Sequence, residues 1–212
     1  MKTWDEIKAW RRETRAKLLA RRVALRRVDR ERIGALVTAL LAERVPELHP
    51  ESRHAACIGF CWPFKGEVDF RRFVGEMIDD GATAALPVVV ERAHPLEFRS
   101  WQPRMKLQRG IWGIPIPGER RIARPSVLLV PLIGFDHAGY RLGYGGGYFD
   151  RTRAVTAPKP LTIGIGYELG RLETIHPQPH DIPMDAIVTE NGFGWVARPP
   201  AFGAVLERKA GR

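Results

Sequence analysis

Val130-Pro-Leu-Ile-Gly-Phe-Asp-His-Ala-Gly-Tyr-Arg-Leu-Gly-Tyr-Gly-Gly-Gly-Tyr-Phe-Asp-Arg151 is the stretch on which the reading of this chain turns. It continues the apolar run Val127–Leu132, which reads as a buried strand. A turn at Asp136–Gly139 follows, then Arg141, then three consecutive glycines, then an aromatic and acidic helix start at Tyr148. Glycines at this density let backbone N–H groups crowd around an anion, and a helix N-terminus adds the positive end of its dipole. Arg141 and Arg151 bracket the loop with fixed positive charge suited to phosphate oxygens. Asp150 is a candidate magnesium ligand, because a hard cation bound with a nucleotide usually takes only one or two protein carboxylates. The segment reads as a nucleotide-phosphate site.

The glycines alone leave an ordinary tight turn and a phosphate loop on equal footing. No Lys-Ser or Lys-Thr follows them, so this is not a Walker A loop. The G-x-G-G-G pattern, set off from its strand by a long turn, also departs from the Rossmann fingerprint.

Working outward, strand and helix patterns alternate. Ala55–Phe60 reads as a strand, Val68–Ile78 as a helix stopped by Gly81, and Thr83–Val90 as a strand. Leu96–Trp101, Leu161–Tyr167 and Ala186–Thr189 are further strands, and Tyr148–Val155 is the helix after the glycine loop. This order predicts an α/β, three-layer, Rossmann-like fold: a mainly parallel or mixed central sheet with helices on both faces. In such sheets ligands gather at the carboxyl ends of the strands, which brings the loops after Phe60 and Leu132 to one site.

The 212 residues show no linker or composition break, so one domain over 1–198 is expected, with a tail at 199–212. No apolar run approaches the length of a membrane span, and the polar, basic start does not resemble a secretory signal. A cytoplasmic location is the expectation, with no membrane partner. Cys57 and Cys61 are too few for a structural zinc site and read as packing residues. Prolines around His176 and His180 keep that pair off one helical face, which excludes a zinc-protease motif.

The net charge is +10, and eleven Lys or Arg residues lie between Lys8 and Arg32. Trp4, Ile7, Trp10, Leu18 and Leu25 recur at helical spacing, so this block is an amphipathic helix. A second helix is expected from about Asp29 until Pro46 stops it. Three readings compete for the basic face: a solvated surface, a nucleic-acid footprint, or an ATP contact by Arg11 and Arg15, which at i, i+4 project from one side. Nucleic acid is disfavoured, because no nucleic-acid module is recognisable and the aromatics lie on the apolar face. After the first strand, Trp62-Pro-Phe-Lys-Gly-Glu67 offers aromatic faces for a flat heterocycle and a carboxylate for its ring N–H groups. Glu67 is equally suited to a helix N-terminus.

Arg141-Leu142-Gly143, then Gly145-Gly146-Gly147-Tyr148-Phe149-Asp150, together with Pro131, Phe135 and Asp136, closely resembles the motif of the 5-formyltetrahydrofolate cyclo-ligase family, also called methenyltetrahydrofolate synthetase. The resemblance runs from about Arg11 to about Gly192. It implies an ATP- and Mg2+-dependent enzyme that converts 5-formyltetrahydrofolate to 5,10-methenyltetrahydrofolate. Phosphorylation of the formyl oxygen and ring closure by N10 would release ADP and phosphate. It implies ATP contacts from Arg11, Arg15, Arg141, Leu142, Gly143, Tyr144, Gly145, Gly146, Gly147, Tyr148 and Phe149. The reduced folate would meet Trp62, Glu67, Tyr144 and Tyr148, and magnesium would meet Asp150 and Asp185. Arg11 stands where the family more often has lysine, and Ile116 where many relatives carry glutamate. His180 and Asp181 are expected to order their turn. No residue is assigned as a general acid or base. A cyclo-ligase-like paralogue using ATP on another metabolite is the alternative.

Overall fold

The computed structural model describes residues 2–48 and 56–195. A seven-stranded sheet in the order β11-β10-β9-β6-β1-β2-β3 forms the middle layer. Its five central strands, β10 (Ala186–Thr189), β9 (Leu161–Ile165), β6 (Val127–Pro131), β1 (Cys57–Phe60) and β2 (Thr83–Val88), run parallel. The edges, β3 (Glu97–Trp101) and β11 (Gly192–Trp195), are antiparallel to their neighbours.

Both faces are covered, which is why the central strands read as apolar runs rather than alternating ones. On one face, Val37 and Leu41 of α2 (Arg27–Leu48) and Phe73 and Val74 of α3 (Arg71–Asp79) pack with Ile58, Leu129 and Ile163. On the other, Leu128 and Val130 gather with Phe98 and Ile187, and Phe149 of α4 (Tyr148–Val155) packs against them. Leu128 and Leu129 thus serve opposite layers, as the two-residue period of a strand demands. Burying each such side chain contributes about 1.5–3 kcal/mol.

The expected three-layer α/β fold is present, and the helix after the glycines has the expected bounds. Other boundaries moved. Helix α2 begins before Asp29 and continues through Pro46, which falls in its last turn and forfeits only one backbone bond there. Helix α3 starts at Arg71 rather than Val68, because the Asp69 carboxylate accepts from the Arg71 backbone N–H and guanidinium. Three strand pairings were not expected, the first being that of β11 with β10. The hairpin of β4 (Leu107–Arg109) and β5 (Pro115–Pro117) hides in a proline-rich segment, and proline is tolerated on such an edge. A short pair, β7 (Gly134–Phe135) and β8 (Arg141–Leu142), closes the turn before the glycine loop. Ala55 and the tail at 199–212 lie outside the described residues.

Helix α1 (Trp4–Ala24) starts in a capping box, in which Thr3 accepts from the Glu6 N–H and Glu6 from the Thr3 N–H. It lies across the carboxyl ends of the parallel strands: buried Leu18 faces Gly134, where a Cβ would stand 2.8 Å from its Cδ1. Near its end, Arg22 is also buried.

Candidate active site

The carboxyl ends of β1, β2 and β6 open into a cleft of about 1160 Å³. Its walls are α1, the glycine loop, the loop after β1 and the turn between β4 and β5. Trp62, Glu67, Tyr144 and Tyr148 all line it, together with Arg11, Arg15 and the whole run Arg141–Asp150. The structure therefore brings together every expected site residue except Asp185.

Glu67 owes its position to a tight turn in which its N–H donates to the Phe64 carbonyl at 3.1 Å. Lys65 and Gly66 take φ of +48° and +74°, a left-handed pair that glycine eases at the second position. The Tyr167 hydroxyl holds the turn by donating to the Gly66 carbonyl at 2.9 Å. Glu67 does not cap α3, which begins four residues later; its carboxylate, 6% exposed, accepts from the Phe64 N–H and from the Tyr144 hydroxyl, both at 3.0 Å. Burial pushes this carboxyl up to about 7, against the opposing pull of Arg22 and of those two bonds. Burial and the nearby Glu67 charge raise the Tyr144 phenol above its ordinary value, so it remains a donor at neutral pH. Trp62 packs edge-on to Trp101 with the Arg71 guanidinium 4.6 Å over its ring.

In the glycine loop, Gly147 is the N-cap of α4 with φ +62°, and no side chain caps that helix start. Its first N–H groups are thus presented to the cleft as an anion site. A Cβ at Gly146 would stand 2.7 Å from the Tyr148 ring, so the loop closes only with glycine there. Arg15 donates through Nε to the Gly143 carbonyl at 2.5 Å, and its guanidinium carbon lies 3.5 Å from where a Gly145 Cβ would be. Burial and the charge of Arg11 pull the Arg15 guanidinium below its ordinary value, which marks an electropositive wall. Arg151 donates to the Gly146 carbonyl and lies over the Tyr148 ring, and its Nε is buried without a partner.

Three expected roles change in detail. Asp150 lines the cleft, but its carboxylate already accepts from both terminal nitrogens of Arg141, at 3.1 and 2.8 Å, and from the Ile182 N–H at 3.1 Å. Asp185 is not beside it. It precedes β10 at the amino ends of the parallel strands, where it accepts from the Thr162 N–H and hydroxyl at 2.7 and 2.6 Å. The cation both carboxylates feel is the Arg153 guanidinium, drawn down to about 10 by burial. Among the described residues no group of three or more Asp, Glu, His or Cys side chains could hold a metal. Arg11 reaches the cleft but spends Nε on the Ile175 carbonyl and Nη2 on the His176 carbonyl and on Asp181, the last at 2.5 Å. Asp181 also accepts from the Gln178 N–H, so it orders its turn as expected. Cys57 and Cys61 are free thiols, both pushed up by burial.

Arg22 is the residue that sequence reasoning missed. Its charge grouped it with the other basic residues of that helix, and the available signal was its register with the apolar Leu18 and Leu25. Trp112, at the tip of the β4–β5 turn, is 63% exposed and faces the cleft rather than the core.

A doubly covered parallel sheet, with a glycine loop and basic helix wall around a cleft at its carboxyl edge, defines a nucleotide-using α/β enzyme class. Residues 7–190 match the model of the 5-formyltetrahydrofolate cyclo-ligase family, and the chain belongs to that family. The 5-formyltetrahydrofolate cyclo-ligase of Haemophilus influenzae is 27% identical over 176 residues, which span 74% of this chain and 92% of that protein. The Escherichia coli K12 enzyme of the same name is 31% identical over 137 residues, 59% of this chain and 73% of its own length. The NMR structure of Aquifex aeolicus 5,10-methenyltetrahydrofolate synthetase superposes with a TM-score of 0.73 at 29% identity, covering 89% of this chain and 94% of that one. The Mycoplasma pneumoniae synthetase shares the fold, with a TM-score of 0.69 at 23% identity over 85% of this chain and 98% of that one.

Proposed function

We propose that this chain converts 5-formyltetrahydrofolate to 5,10-methenyltetrahydrofolate at the expense of ATP, with residues 1–198 acting as one cytoplasmic α/β unit. The observation that carries the reading is the buried Glu67, bonded by Tyr144 from the glycine loop and open to the same cleft. One carboxylate thus joins the aromatic side of the cleft, at Trp62 and Phe64, to the glycine loop. Among the described residues no helix is long and apolar enough to cross a membrane.

The oxygen of an N-formyl group is a poor leaving group. Transfer of the γ-phosphoryl group to it releases ADP and leaves an iminium phosphate. N10 then attacks the formyl carbon, the C–O bond breaks, phosphate departs and N10 loses its proton. Such chemistry is mainly positioning and charge neutralisation. The α4 N-terminus, the glycine N–H groups and the terminal nitrogens of Arg15 suit the phosphates, with Arg141, Leu142 and Phe149 shaping that loop. Ionised Glu67 suits the ring N–H donors of the pterin, and Trp62, Tyr144 and Tyr148 suit its faces. Arg11 contributes charge to this wall while holding the 175–181 turn.

Magnesium enters the proposal as the ion that accompanies ATP. The donor set does not fit a magnesium ion shared by Asp150 and Asp185, since Asp150 is held by Arg141 and the Ile182 N–H while Asp185 is engaged by Thr162 and does not line the cleft. ADP release measured with and without 5-formyltetrahydrofolate tests the function. One ADP per methenyl product, and none without folate, is expected; ADP release indifferent to folate would refute it.

A further inference from the structure

We propose that Arg22 is a positioning residue that couples the two substrate loops, so that ATP and 5-formyltetrahydrofolate strengthen each other's binding. This rests on the cyclo-ligase reading. Arg22 is 2% exposed, and one guanidinium ties three segments together. Its Nε donates to the Lys65 carbonyl at 3.1 Å, in the turn that presents Glu67. Its Nη1 donates to the Leu132 carbonyl at 3.1 Å, where β6 leads toward the glycine loop. Its Nη2 donates to the Tyr144 hydroxyl at 2.6 Å and stands 3.9 Å from the Glu67 carboxylate.

The direction of these bonds matters. Because Arg22 can only donate, the Tyr144 oxygen must accept from it, and the phenol proton is sent to Glu67 at 3.0 Å. Glu67 is thereby kept as an acceptor, the state that suits pterin N–H groups. Tyr144 lies between Gly143 and Gly145, the latter at φ +92°; the residue is 45% exposed and lines the cleft. A nucleotide that orders the glycine loop therefore also fixes the Tyr144 hydroxyl against Glu67. By linkage, a folate that engages Glu67 fixes the loop for the nucleotide.

The groups that face Glu67 come from every side. Arg22 faces it from α1, Tyr144 from the glycine loop, the Phe64 N–H from its own turn, and Cys61 from the end of β1. Tyr167, itself influenced by Arg30 and Glu190, faces it from beyond β9. Arg22 is the cation among them that holds Glu67 down.

The test is calorimetric binding of 5-formyltetrahydrofolate with and without a non-hydrolysable ATP analogue, alongside the pH profile of kcat/KM for folate. In the wild-type chain the analogue should tighten folate binding by about 5- to 50-fold. Tyr144→Phe and Arg22→Gln should each reduce that coupling to below about 2-fold, within what such coupling energies allow. Arg22→Gln should also move the acid limb of kcat/KM to higher pH, and Arg22→Lys should restore the limb without the coupling. Wild-type coupling that is absent, or that survives Tyr144→Phe, overturns the proposal. So does an Arg22→Gln chain that loses thermal stability but keeps the wild-type pH limb and coupling. Should Arg22→Gln not fold, Tyr144→Phe decides alone, since it removes one hydroxyl from a half-exposed ring. A wild-type chain that binds folate without forming product refutes the cyclo-ligase reading and leaves the coupling measurable.

Discussion

Two arginine–carboxylate pairs flank the cleft, and they are built differently. Arg141 and Asp150 meet fork to fork, with both carboxylate oxygens engaged and a third bond from Ile182. Arg22 and Glu67 stand 3.9 Å apart without a direct hydrogen bond; the Tyr144 hydroxyl bridges them, and the carboxyl is pushed up to about 7. A fully satisfied pair fixes a fold, because its charges have nothing left to offer a ligand. An incompletely compensated carboxylate at a cleft is the kind of group that a substrate completes. The glycine loop is held at one end by the first pair and read out at its middle by the second.

The comparison can be broken from either side. Asp150→Asn should cost the most, about 3 kcal/mol, because it strands the buried Arg141 charge. Thermal unfolding would show this as roughly a 10 °C fall in Tm. A chain of unchanged Tm with altered Mg2+ dependence would instead make Asp150 a metal ligand and the pair no clamp.

Glu67 should reveal itself through pH. Its folded pKa of about 7 exceeds the ordinary 4.5, so the folded chain holds this proton more tightly than the unfolded chain. The resulting stabilisation is complete below the unfolded value and is lost as pH rises through about 7. Between pH 5 and pH 8 it amounts to at most about 3 kcal/mol. Urea unfolding of the ligand-free wild type, set against Glu67→Gln, isolates it. Equal pH slopes for the two chains would remove the contrast.

Gly147→Ala should cost about 1–2 kcal/mol for a left-handed non-glycine residue, with its Cβ only 3.0 Å from Arg151 Nη1. ATP titration should show weaker binding by about 10-fold. The smallest effect belongs to Asp185→Asn. The Arg153 contact is long, at 3.9 Å, and the amide oxygen can still accept from Thr162, so stability should change by less than about 1 kcal/mol. The Mg2+ dependence of turnover should stay as it was; a changed dependence would return Asp185 to the metal.

Much of this was legible in the residues. The apolar run at Val127, the glycines and the helix at Tyr148 announce a βα unit, and local chemistry decides such a unit. The hairpin with Pro115 and Pro117 and the strand Gly192–Trp195 were not legible, because their residues disfavour strands and only a neighbour supplies the pairing. Trp62, Glu67 and the glycine loop could be named from motif and chemistry. The burial of Arg22 and the separation of Asp185 from Asp150 could not. Both depend on which end of the sheet a segment reaches, and residue type carries no record of that. Arg11 illustrates the same limit: its spacing from Arg15 put it on the cleft side, while the Asp181 partner comes from 170 residues away.

The most direct test is the near-ultraviolet absorbance of methenyl product, followed with ATP, Mg2+ and 5-formyltetrahydrofolate, for wild type and Glu67→Gln side by side. ATP-dependent product from the wild type is predicted, with kcat/KM for folate about 100-fold lower in the variant, the scale of one lost charge-assisted bond. ATP affinity should be retained. No product from a folded, ATP-binding wild type, or equal rates from the two chains, would contradict the account.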